Sequence, residues 1–167
     1  MRTPRYRGKD LKTGEWVYGY FCKQHIPDEM SEGQYQTAYV IFNDEPGHRH
    51  KGGYWHEVHY NSVGENTGMN DRNQTAIYEG DILRLTIPDG TVRHFVVEWA
   101  VQQRHLASLP DFIPDGNPVE ITGWCFNWHG NRLLPSVIDG VSDCFRMEII
   151  GNVFDNPEQI DADLKED

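Results

Sequence analysis

Apolar and polar residues alternate with a period of two over several stretches of this chain, the spacing of half-buried β-strands. Thr91–Trp99 shows it best, with Phe95, Val97 and Trp99 on one face. Phe145–Phe154 sets Phe145, Met147 and Ile149 against Arg146, Glu148 and Ile150. Glu15–Phe21 sets Trp16, Tyr18 and Tyr20 against Val17, Gly19 and Phe21, and pairs with a strand at Thr3–Arg7 across turn residues from Gly8 to Gly14. Further strands are predicted at Thr37–Phe42, Tyr54–Tyr60 and Ile121–Trp128. Ala76–Tyr78 leads through Glu79-Gly80-Asp81 into another strand at Ile82–Ile87, closed by the turn Pro88-Asp89-Gly90.

The remaining stretches read differently. Asn61–Arg72 is dense in Gly, Asn and Asp and reads as turns. Polar residues 24–35, the His- and Gly-rich stretch Asn43 to Gly53, and Pro110 to Pro118 read as loops. Ala100–Leu109 reads as a short helix. Asn156-Pro157-Glu158-Gln159 carries a capping Asn, Pro at the first helical position and Gln three residues after the cap. This predicts a short acidic C-terminal helix.

Composition narrows the function. The chain has 167 residues with 38% hydrophobic and 12% aromatic content, so it can bury a core without disulfide staples. Three cysteines do not make a disulfide framework. No apolar leader and no long apolar run occurs, so the expected location is cytoplasmic, with no membrane partner. The net charge of −11 opposes broad nucleic-acid binding. Charge is uneven: Arg2, Arg5, Arg7, Lys9 and Lys12 crowd the start, and Asp155, Glu158, Asp161, Asp163, Glu166 and Asp167 crowd the end. Either this is solvated surface, or the two ends meet within one molecule or between subunits.

Three stretches together resemble the YopX family of phage, prophage and mobile-element proteins. The first runs from Arg5-Tyr6-Arg7 to Trp16-Val17-Tyr18-Gly19. The second runs from Ser62-Val63-Gly64-Glu65 to Asp71 and on to Ile77-Tyr78-Glu79-Gly80-Asp81-Ile82. The third is Ile149-Ile150-Gly151-Asn152-Val153-Phe154-Asp155-Asn156-Pro157-Glu158. The resemblance implies a mostly β fold with an SH3-like small barrel plus an additional antiparallel sheet, and a homo-oligomer. It brings no catalytic residues and no cofactor. The expected organisation is one domain over 1–167, with 1–60 forming the N-terminal hairpin and strands and 61–167 the barrel-like part. The family usually has Asn-Gly where this chain has Asn73-Gln74, so a turn of different type or length is expected there.

Candidate residues follow. Tyr78, Glu79, Gly80, Asp81, Gly151, Asn152, Asn156 and Pro157 read as structural: glycines that let the backbone turn or bulge, and polar side chains that accept backbone N–H bonds. The rival reading makes Glu79 and Asp81 a catalytic acid pair, since residues two apart on a strand share a face. His48, His50, His56 and His59, with Cys22 and His25 upstream, are candidate metal ligands, though their spacing matches no standard zinc site. Cys125 with His129, and Cys144, suggest a nucleophile and base, against the simpler reading of buried thiols. Arg2, Arg5, Arg7 and Trp16, flanked by Tyr18, Tyr20, Trp124 and Trp128, form a candidate stacking platform for single-stranded nucleic acid. The expected function is that of an accessory protein of a phage, prophage or conjugative element. It acts by protein–protein contact or self-association, with a host or phage protein as the other partner class. Nucleic-acid binding is the alternative, and a metal-dependent hydrolase built on the histidines comes last.

Overall fold

The structure is a computed structural model that describes residues 5–27, 35–42, 55–105, 118–138 and 140–165. Six strands form the first sheet: β1 (Tyr6–Lys9), β2 (Trp16–Pro27), β3 (Tyr35–Phe42), β4 (Trp55–Glu57), β5 (Gly64–Asn70) and β6 (Ala76–Tyr78). The second sheet contains β7 (Asp81–Thr86), β8 (Val92–Arg104), β9 (Val119–Trp128) and β10 (Asn131–Leu133). A small ribbon, β11 (Val137–Ile138) with β12 (Val141–Ser142), precedes β13 (Met147–Asn152), which returns to the second sheet. The spatial orders are β4-β3-β2-β1-β5-β6 and β10-β9-β8-β7-β13. All pairings are antiparallel.

Alternation explains the core. In β7, Ile82 and Leu83 are buried, and beyond them Leu85 turns inward while Arg84 and Thr86 face outward. Leu83, Phe95, Val97, Phe126 and Met147 from the second sheet, with Cys144 from the 3-10 turn before β13, close around Ile77 from the first. Phe95 and Phe126 meet edge to face with ring centroids 6.5 Å apart. Each buried ring of this kind contributes about 1.5–3 kcal/mol. The sheets are also joined by main-chain bonds: Gly80 N–H donates to Val97 O at 2.8 Å, and Arg72 N–H to Met147 O at 2.9 Å. The outer edge of β13 is thereby blunted by the turn after β5.

Several expectations are corrected. Among the described residues there are two open antiparallel sheets and no closed barrel. There is no α-helix there either. The C-terminal helix is replaced by 3-10 turns at Pro157–Gln159 and Ala162–Lys165. Asn156 sits at φ −132° and ψ 48° and makes no capping bond, because its side chain turns back toward Asn152 N–H and Gly151. The stretch Asn61–Arg72 contains β5, a polar strand whose buried Thr67 hydroxyl is satisfied by Ile77 O at 2.9 Å. Ala100 to Arg104 continues β8 instead of starting a helix, because β9 pairs with it as far as Arg104↔Val119. Residues 24–27 and 35–36 extend β2 and β3 into the expected loop, and the strand expected at 54–60 ends at Glu57 before a 3-10 turn. No described helix is long and apolar enough to cross a membrane.

The turn at Asn73-Gln74 keeps a left-handed residue despite lacking glycine. Gln74 has φ 64°. Buried Asp71 enforces this by accepting the N–H groups of Asn73 at 2.8 Å, Thr75 at 2.9 Å and, across the turn, Ile149 at 3.1 Å. Left-handed backbone costs a non-glycine residue about 1 kcal/mol. Gln74→Gly is therefore expected to stabilise the protein by about 0.5–1 kcal/mol, after the entropy that glycine adds to the unfolded chain. Urea denaturation should show a higher midpoint at unchanged slope.

Candidate functional site

The three sequence blocks, far apart in the chain, converge on Arg7. Register pairs Arg7 with Tyr18 and Lys9 with Trp16, so these four side chains share one face of the first sheet. The Arg7 guanidinium carbon lies 4.8 Å from the Trp16 ring centroid and 5.2 Å from that of Tyr78. Its Nη1 is 2.5 Å from Asp81 Oδ1, and its Nη2 donates to Glu79 O at 3.3 Å. Asp81, whose side chain is 1% exposed, also accepts the Tyr78 N–H at 2.7 Å. Burial pushes the Asp81 carboxyl above its ordinary range, against the pull of Arg7 and the Tyr78 N–H.

Glu79 and Asp81 do not form an acid pair on one strand. β6 ends at Tyr78 and β7 begins at Asp81, so Glu79 and Gly80 form the turn between them. Gly80 has φ 79° and accepts Val153 N–H at 2.8 Å, tying the second block to the third. The turn leaves Glu79 on a cleft of about 270 Å³ with Trp16, Glu98 and Phe154. Asp81 lines a different cleft of about 420 Å³ with Tyr18, Tyr78 and Ile149. Burial raises the Glu79 carboxyl, and the charges of Glu65 and Glu98 add to it.

The third block supplies the closure. A register shift interrupts the β13–β7 pairing between Ile149 and Gly151. A Cβ at Gly151 would stand 2.5 Å from Asn156 Oδ1, so any larger residue must displace the Asn156 side chain. Asn152 Oδ1 accepts Phe154 N–H at 3.0 Å and Asp155 N–H at 2.9 Å. Asp155 then reaches the first sheet: it pairs with Lys9 and accepts Trp16 Nε1–H at 2.8 Å. These bonds hold its carboxyl below the ordinary range, the Lys9 contact most strongly. Lys9 from the basic start and Asp155 from the acidic end thus meet within one molecule. Pro157 opens the 3-10 turn that follows.

The candidate nucleic-acid residues are dispersed or engaged. Arg7 is buried in its ion pair, Trp16 is tied to Asp155, Arg5 is exposed, and Arg2 lies outside the described residues. Of the aromatics, Trp124 stands against Trp99 in the second sheet and Trp128 beneath Arg93. The candidate metal ligands fare similarly. His48 and His50 lie outside the described residues. His56 Nδ1 is 2.8 Å from Asp10 Oδ2, and the His59 ring lies 5.7 Å from that of Phe154. Among the described residues no group of three or more His, Cys, Asp and Glu is placed to hold a metal ion.

The thiols are not activated. Cys144 lies in the core, 3.6 Å from Met69 Sδ, and Cys125 faces Glu98 at 3.8 Å on the opposite side of β9 from Phe126. Burial raises both thiols. His129 is not beside Cys125's sulfur as a base; its ring is turned to Asp161 and Asp163.

One surface was only partly legible beforehand. Beyond the core, the β8 face that carries Phe95 and Val97 continues as Trp99, 52% exposed, and Val101, 51% exposed. Trp99 pairs with Trp124 across the ladder, their rings edge to face at 5.0 Å. Alternation places Trp99 with Phe95 and Val97, but nothing in the pattern marks where the core stops.

The fold and this convergence define a mostly β, two-sheet protein in which an Arg–Asp pair joins three sequence blocks at the sheet junction. The chain belongs to the YopX family: the family model described as YopX protein matches residues 5–161. No curated protein matches the chain.

Proposed function

We propose that this protein is a non-enzymatic accessory protein of a phage, prophage or conjugative element that acts by self-association. The observation that carries this reading is the exposed continuation of the core face, Trp99 and Val101 beside half-buried Trp124. Leu133 and Val137, on the segment that follows β9, are also exposed. Exposed apolar clusters with aromatic centres are characteristic of interface cores, where Trp is enriched among the residues that dominate affinity. The buried Arg7–Asp81 pair and the clasped Lys9 leave less positive charge for a nucleic acid, which supports protein contact over phosphate contact.

Analytical ultracentrifugation tests this. The wild type should associate reversibly in the micromolar range. Trp99→Lys should weaken association about 30-fold or more, the cost of removing a central interface Trp and burying a charge in its place. Trp99 is half exposed, so the variant should fold. A wild type that stays monomeric up to about 100 µM, or an oligomer unchanged by Trp99→Lys, would overturn the reading.

A further inference from the structure

The face of the first sheet that carries Arg7 goes on past it as a row of rings. Tyr18 and Tyr20 lie two residues apart on β2 and so point the same way. Register continues the row from Tyr20 to Phe42 on β3 and from Phe42 to Trp55 on β4. Tyr18, Tyr20 and Trp55 are 47%, 43% and 39% exposed. At the Tyr18 end the row runs into the cleft of about 420 Å³, where Tyr18 meets Tyr78 with ring centroids 5.6 Å apart. The self-association surface lies on the other sheet, at Trp99 of β8.

Chemistry narrows the guest. β2 and β3 lie inside the sheet, so a segment cannot join this surface by adding a strand and has to lie across the rings. Rings are poor acceptors, which disfavours an extended segment with an N–H to satisfy at every residue. A proline-rich segment lacks those donors, keeps its carbonyls in water and presents flat apolar rings. It is preformed as a polyproline II helix, so docking costs little ordering entropy. From Tyr18 to Trp55 the sheet spacings give about 12 Å, the length of about four residues in that helix. Arg7, which lines the cleft, keeps a buried Nε without a hydrogen-bond partner, and a carbonyl is the acceptor it lacks. Charge sets the flank of the guest. Arg7 and Lys9 on this face are already paired with Asp81 and Asp155. With a net charge of −11 the chain attracts a basic partner and repels an anionic one. We infer that the Tyr18–Trp55 row is a docking surface for a proline-rich segment of another protein that carries arginine or lysine beside its prolines.

Fluorescence anisotropy with the full chain tests this. The probe is a fluorescein-labelled polyproline peptide of about ten residues ending in two arginines. It should bind with a Kd of about 10–100 µM. Replacing its prolines by alternating glycine and serine, with the arginines kept, should weaken binding about 10-fold or more, because a flexible chain must be ordered on docking. Tyr20→Ser changes a half-exposed side chain that takes no part in the Arg7–Asp81 pair, so the variant should fold and bind about 5-fold or more weakly. Trp55→Ser, on the edge strand, should do the same. No binding up to about 1 mM, or equal binding of the glycine–serine peptide, would overturn the inference. So would an affinity unchanged in both variants. Tighter binding of a single-stranded oligothymidylate than of the peptide would also overturn it, and would make the row a stacking platform for bases.

Discussion

Arg7→Leu should destabilise the protein by about 3–5 kcal/mol, read by urea denaturation at neutral pH. The cost comes from what stays behind. Asp81 has a side chain 1% exposed, and Arg7 is its only cationic partner within ion-pair distance among the described residues. Without Arg7 the buried carboxylate keeps a single backbone bond from Tyr78. The pair itself is imperfect, since Arg7 Nε is buried without a hydrogen-bond partner. Removing both charges should therefore cost much less than removing one, and Arg7→Leu with Asp81→Asn should recover a large part of the loss. The pH dependence has a definite sign. Burial already raises the folded-state value for Asp81, and losing Arg7 removes the largest opposing pull. The folded variant then holds this proton more tightly than the unfolded chain. Its deficit should be smallest below the unfolded Asp value of about 3.9 and should grow as pH rises through the folded value. A deficit independent of pH would remove Asp81 from the explanation.

Asp163→Ala should cost about 2–3 kcal/mol, because it leaves the buried donors His94 N–H and Trp128 Nε1–H without their acceptor. Burial alone would raise this carboxyl, but the bonds from His94, Trp128 and His129 outweigh it and hold it below the ordinary range. A carboxylate depressed in the folded state adds stability above the unfolded value, about 3.9, and loses it as pH falls through the folded value. The gap between wild type and Asp163→Ala should be full at neutral pH and close in strong acid. Chemical denaturation at a series of pH values measures it. A gap that persists unchanged into strong acid would show that the charge of Asp163 is not what holds the segment.

The sequence made most of this legible where alternation was strong. The Phe95–Val97 face read directly, because period two and burial agree there. It misled where polar residues do structural work. Gly64–Asn70 reads as a turn by composition, yet it is a strand whose register slips between Asn66 and Asn70 and whose Thr67 hydroxyl satisfies a carbonyl. Gln74 takes a left-handed conformation because distant Ile149 helps fix Asp71, a tertiary constraint invisible to local propensity. The Asn156-Pro157 helix signal failed for the same kind of reason, since the Asn side chain is engaged by Asn152 and Gly151. At the site, the three blocks were recognisable one by one. Their meeting at Arg7 follows from strand order, which no spacing along the chain encodes.

That order has a consequence for how the molecule is made. β1 lies inside the first sheet between β2 and β5, and its Lys9 pairs with Asp155, well over a hundred residues further along the chain. The sheet junction cannot be sealed until Asp155 has been made. Such long-range closure makes for slow, all-or-none folding, and a messenger truncated before the codon for Asp155 would yield a chain whose first strand stays unclasped.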